Sequence, residues 1–141
     1  MKPLIPDGGL LSLDWGGAKT GYATCDELGL VIAPQGSFPR KSRHRPWEIT
    51  ESDRQHLRAL IKKFEPGALL LGLPLNADGS ESEASQKARG LATELHVFLK
   101  LEVFLVSEIL TSWASKSAKN EDAAAAALLI QDYLSEKGIS K

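Results

Sequence analysis

Ala68-Leu69-Leu70-Leu71-Gly72-Leu73-Pro74 is a continuous apolar run of strand length, preceded by Pro66-Gly67 and closed by its own proline. A strand without polar alternation is buried on both faces, as in the middle of a parallel sheet. Parallel neighbours need crossover connections, and a helical pattern stands on each side of the run. Upstream, Ser52 and Gln55 make a capping box ahead of Leu57, Leu60, Ile61 and Phe64, which share one helical face and end near Pro66-Gly67. Downstream, Ser80 and Glu83 offer a second capping box, and Ala84, Ala88, Leu91, Leu95 and Phe98 mark a helix over residues 82–100.

Working outward, Leu10-Leu11-Ser12-Leu13 reads as a short buried strand between Gly8-Gly9 and Gly16-Gly17, with Asp14 at its C-terminal end. Thr20 to Cys25 and Leu30 to Phe38 form two more strands around the turn Asp26-Glu27-Leu28-Gly29, so the chain opens with an antiparallel meander. Val103 to Val106 is a fifth strand, and Asn120 to Glu136 a last helix that Gly138 is placed to end. The order βββαβαβα predicts an α/β fold with a mixed five-stranded sheet and helices on both faces. No repeat or linker divides the 141 residues, and one domain over 1–141 is expected.

Composition narrows the function less than the pattern does. A net charge of -1 gives none of the strongly basic balance typical of nucleic-acid binders, although Pro39-Arg40-Lys41-Ser42-Arg43-His44-Arg45-Pro46 concentrates four basic residues between prolines. Arg40 and Arg43 are candidates to meet a phosphate backbone. Cys25 is the only cysteine, which excludes a disulfide framework or a thiolate zinc set and favours a reducing, cytoplasmic setting. No segment reaches the roughly 20 apolar residues of a spanning helix, so no membrane partner is expected.

Ligands of open α/β sheets gather beyond the carboxyl ends of the strands. Asp14 and Glu108 are placed there, and Asp122 lies in the first turn of the last helix, where the helix dipole favours an anion. Ala125, Leu128 and Leu129 of that helix are expected to pack on the sheet. Three convergent carboxylates supply the hard oxygen ligands that suit Mg²⁺ or Mn²⁺. Two such ions roughly 4 Å apart serve both ends of a phosphodiester hydrolysis, by acidifying the attacking water and stabilising the leaving oxyanion. His44, His56 and His96 show no metal-ligand spacing.

Three stretches together resemble the YqgF/RuvX family of Holliday junction resolvase-like nucleases, associated with maturation of the pre-16S rRNA 5′ end. They are Leu13-Asp14-Trp15-Gly16-Gly17-Ala18-Lys19-Thr20-Gly21-Tyr22-Ala23, Gly72-Leu73-Pro74-Leu75-Asn76-Ala77-Asp78-Gly79-Ser80 and the helix from Asp122 to Leu134. The resemblance implies a ribonuclease H-like fold and an Mg²⁺- or Mn²⁺-dependent nuclease acting on pre-rRNA or branched DNA, with Asp14, Glu108 and Asp122 as its catalytic and metal-binding acids. It also implies nucleic-acid contacts by Lys19, in the place of the family's usual Arg, and by Asn76, Ser80 and Thr111. A monomer or weak homodimer is expected.

The chain departs from the family at Ser107-Glu108-Ile109-Leu110-Thr111-Ser112, where Asp-Glu-Arg-Leu-Thr-Thr is usual, and in a shorter stretch between Trp113 and Asn120. The lost carboxylate and guanidinium motivate an alternative, a member that binds nucleic acid or a ribosome-assembly partner without cleaving. The Asp-x-Gly opening also occurs in actin-like ATPases and sugar kinases, but those close two such domains around the nucleotide.

Overall fold

The computed structural model describes residues 5–42, 44–109 and 121–136. Among them the elements follow the expected order: β1 (Leu10–Asp14), β2 (Lys19–Cys25), β3 (Ile32–Pro39), α1 (Glu51–Phe64), β4 (Ala68–Leu75), α2 (Glu83–Leu99), β5 (Glu102–Ile109) and α3 (Glu121–Glu136). The strands form one five-stranded sheet in the order β3-β2-β1-β4-β5. β1 pairs antiparallel with β2 and β2 with β3, whereas β1–β4 and β4–β5 are parallel. This is the ribonuclease H-like arrangement, and it places β1 and the apolar run of β4 side by side at the centre.

Alternation along the strands divides the core between the two faces. Leu11, Leu13, Leu69 and Leu71 face α1 and α2 and pack with Leu57, Leu60, Leu91 and Leu95. Leu10, Leu70 and Val106 face α3 and pack with Ala126, Leu129, Ile130 and Leu134. Ala125 and Leu129 are buried as expected, while Leu128 turns to solvent at 46% exposure.

Both helix N-caps lie two residues from the expected ones. α1 is capped by Thr50, whose hydroxyl accepts from the Asp53 amide while the Asp53 carboxylate accepts from the Thr50 amide. α2 is capped by Ser82, with Ser85 as the reciprocal partner. Tertiary bonds select these registers: Asp53 is also the partner of Arg40, and the Ser85 hydroxyl donates to the Pro74 carbonyl. Pro74 does not end β4, which runs on to Leu75 in register with Ile109. The β1 ladder has already stopped at Leu13–Leu71, so a proline there removes no hydrogen bond to β1. β5 likewise extends past Val106 and carries Glu108 inside the strand.

Candidate active site

Asp14, Gly72 and Glu108 lie on the α3 face of the sheet, at the carboxyl ends of β1, β4 and β5, by the same alternation that sends Leu10, Leu70 and Val106 there. α3 brings Asp122 to that end, and small residues let it approach. The Ser12 hydroxyl donates to the Ala126 carbonyl at 2.6 Å, pinning the helix to the sheet centre. Gly21, the cross-strand partner of Asp14, lies directly beneath Asp122. A methyl group there would stand 2.7 Å from Asp122 Cβ and collide with the Asp122 carbonyl. Gly21 has no positive φ, so its need for glycine is close approach alone.

Glu108 starts on β5, yet its carboxylate lies over β4. Its Oε1 is 2.8 Å from the point a Cβ on Gly72 would occupy. Gly72 follows Leu71, the β4 partner of Leu13, so Glu108 reaches across the sheet toward the strand that carries Asp14. Gly21 and Gly72 are thus two cradles that any larger residue would fill, one beneath Asp122 and the other beneath Glu108.

The carboxylates share this face and end without being drawn around one point. Among the described residues, no three acidic, histidine or cysteine side chains stand close enough to hold one metal ion. The Asp122 carboxylate is instead paired with Lys19 Nζ at 3.3 Å, an ion pair in which Lys19 remains 60% exposed. In donor chemistry the three acids suit a hard divalent cation.

Asn76 and Ser80 sit in the exposed turn after β4, at the same end of the sheet. Asn76 Nδ2 donates to Ser80 Oγ at 3.0 Å, and the Ser80 amide donates to Asp78 at 2.9 Å. The hydrogen bonds from the Ser80 side chain and amide hold the Asp78 carboxyl below its ordinary value. Ser80 therefore builds the turn, and the cap of α2 is closed by Ser82 and Ser85, each hydroxyl accepting from the other's amide. Arg43 and Thr111 lie outside the described residues.

Arg40 corrects the reading of the basic stretch. Its side chain is fully buried and ion-paired with Asp53. Nε and Nη2 donate to the two Asp53 oxygens at 3.0 and 3.1 Å, Nη1 donates to the Gly16 and Pro46 carbonyls, and Nη2 also donates to the Glu48 carbonyl. Those bonds use all the N–H donors of a guanidinium, leaving none for a phosphate. Burial alone would raise the Asp53 carboxyl, but hydrogen bonds from Arg40 and Thr50 and the charge of Arg40 outweigh it and hold the group below the usual aspartate value. A basic run between prolines gives no hint of this, because the acceptors come from four separate points in the sequence.

Residues 8–136 match the family described as RuvX, Holliday junction resolvase. A Bordetella pertussis protein named "Putative pre-16S rRNA nuclease" is 33% identical over 139 residues, covering 92% of this chain and 96% of its own. An Alcanivorax borkumensis protein of the same name is 37% identical over 103 residues, 73% of this chain and 72% of its own. Among solved structures, T. thermophilus RuvC in complex with a Holliday junction substrate aligns over 94% of this chain and 97% of that chain, with a TM-score of 0.47 and 13% identity. The family match over nearly the whole chain, with relatives of this identity, makes the protein a member of the RuvX Holliday junction resolvase family.

Proposed function

We propose that this protein is a cytoplasmic, Mg²⁺- or Mn²⁺-dependent endonuclease that hydrolyses phosphodiester bonds in structured nucleic acid, with the 5′ end of pre-16S rRNA as its substrate. The observation that carries the proposal is the pair of glycine cradles, which seats the start of α3 with Asp122 against Gly21, the strand partner of Asp14, and the Glu108 carboxylate over Gly72 on the adjoining β4. Asp14, Glu108 and Asp122 would hold the metal. When bound, hard divalent cations acidify a water molecule and neutralise the charge of the leaving oxygen. Lys19, exposed beside Asp122, is placed to exchange that carboxylate for a substrate phosphate, and the turn of Asn76 and Ser80 borders the same end of the sheet. The relatives' name supports the rRNA substrate, and the family description supports branched DNA as a second one.

Incubation of the purified protein with Mn²⁺ and either a pre-rRNA 5′ fragment or a four-way junction tests the proposal. Cleavage that disappears in Asp14→Asn supports it, and cleavage that persists in that variant overturns the site. The Lys19–Asp122 ion pair and the lack of a converged three-acid group among the described residues favour a second reading, a member that binds nucleic acid or a ribosome-assembly partner without cutting. Calorimetric titration separates the two, since Mn²⁺ binding that is lost in Asp14→Asn belongs only to the nuclease.

A further inference from the structure

The turn between Asp14 and β2 is fastened from outside, one carbonyl after another. Gly16 O accepts from Arg40 Nη1 at 2.6 Å, Gly17 O from the Ser42 amide at 3.1 Å, and Ala18 O from the Arg40 amide at 2.8 Å. Trp15, the residue after Asp14, is held as firmly. The Arg40 guanidinium lies over its ring at 4.2 Å, its Nε1 donates to the Pro46 carbonyl at 2.7 Å, and Phe38 meets it edge-on with centroids 6.4 Å apart. The other end of the guanidinium grips Asp53, the capping-box partner of Thr50 in the first turn of α1. One buried side chain therefore ties β1's exit, the segment 46–48 and the start of α1 into a single network.

Stability alone gives little reason for this arrangement, because well-packed apolar residues commonly replace a buried ion pair at no cost. What a fork of fixed donors supplies is geometry: one of its five directed hydrogen bonds sets the Gly16 carbonyl of the turn, and the other four anchor the fork to Pro46, Glu48 and Asp53. We propose that Arg40 is a positioning residue, whose guanidinium fixes the Trp15–Ala18 turn and through it the direction of the Asp14 carboxylate. It touches no substrate, since all its donors are committed to protein. Its effect on catalysis rests on the nuclease reading above. Its effect on the turn does not.

Two variants test this. Arg40→Lys keeps the charge but has three donors and no planar fork. The double variant Arg40→Met with Asp53→Leu removes both charges and fills the space, so that a folded sample is available if the lysine strands Asp53. Backbone amide exchange is read across residues 15–21 against 57–61 and 69–71, and kcat and KM are measured with Mn²⁺ and the substrate that the wild type cleaves. The expected result in either folded variant is exchange at least tenfold faster in 15–21 with the reference segments unchanged. With it, kcat falls at least tenfold while KM moves less than twofold.

Unchanged exchange in 15–21, or a rise shared equally with the reference segments, overturns the positioning role. So does faster local exchange with kcat retained. A wild type that neither binds Mn²⁺ nor cleaves overturns the nuclease reading instead. The exchange comparison then decides by itself whether Arg40 fixes the turn.

Discussion

On the α1/α2 face the central strands present Leu11, Leu13, Leu69 and Leu71, whereas on the α3 face they present Leu10, Ser12, Leu70 and Gly72, with Gly21 on the neighbouring β2. The first face is filled by volume. Four fully buried strand leucines interlock with Leu57, Leu91 and Leu95 and with aromatic rings at the rim, and two helices are held at side-chain distance. The second face is thinned toward one end. Ser12 and Gly21 let the backbone of α3 rest close to the strands, and the space over Gly72 is occupied by the Glu108 carboxylate. The contrast separates two requirements within one sheet, since one face is filled by bulky strand side chains and the other trades side-chain volume near one end for the close approach of a helix and of polar groups.

Truncation on the filled face should have the largest effect. Leu71→Ala leaves a cavity between β4 and α2 in a region with no room to collapse, and is expected to cost about 2–5 kcal/mol. Urea unfolding should show a lowered midpoint with an unchanged slope. A loss under about 1 kcal/mol would mean that the leucine face is not close-packed, which would remove one side of the comparison.

The opposite substitution probes the thinned face. Gly21→Ala adds one methyl group against Asp122, and the start of α3 must move away. The expected cost is about 1–3 kcal/mol, smaller than the cavity because only one end of a helix is displaced. Amide exchange should accelerate in the first turns of α3 and leave α1 and α2 protected. Protection lost equally in all three helices would show that α3 is not docked independently through Gly21, and that its closeness to the sheet is a by-product of the whole core.

The filled face was the more legible in the sequence, and the reason is physical. Apolar runs and helical periodicity are local signals of burial, so Ala68–Leu73 and the two crossover helices announced a mixed sheet with parallel strands at its middle. Asp14 was legible because a strand signal ends on it. The helix caps were not, because Thr50-Glu51-Ser52 and Ser80-Glu81-Ser82 each offer two hydroxyls within three residues, and the choice is made by Arg40 and by the Pro74 carbonyl across the fold. Arg40 itself read as a candidate to meet a phosphate backbone, since its acceptors at Gly16, Pro46, Glu48 and Asp53 meet only after folding. Glu108 could be placed at a strand end, but its reach over Gly72 depends on a pairing of β4 with β5 that no local pattern encodes.

The smallest expected effect lies on the α3 face at the end away from the acids, where Cys25 is buried at 4% exposure in the core cluster of Leu10 and Tyr133. Burial, and secondarily the charge of Asp26, push its thiol up from 9.0 to about 11. The neutral thiol is the form the fold accepts, so this contribution to stability is complete below pH 9 and is lost as pH rises toward 11. At pH 9 an unfolded chain would hold about half of this cysteine as thiolate, and the native chain only about one part in a hundred, by the ionisation equilibrium alone. Alkylation by iodoacetamide at that pH should therefore be at least tenfold slower in the native protein than in urea. If the native thiol reacts as fast, the far end of the α3 face is open to solvent, and the thinning that accommodates Asp122 is not confined to the end of the sheet where the carboxylates stand.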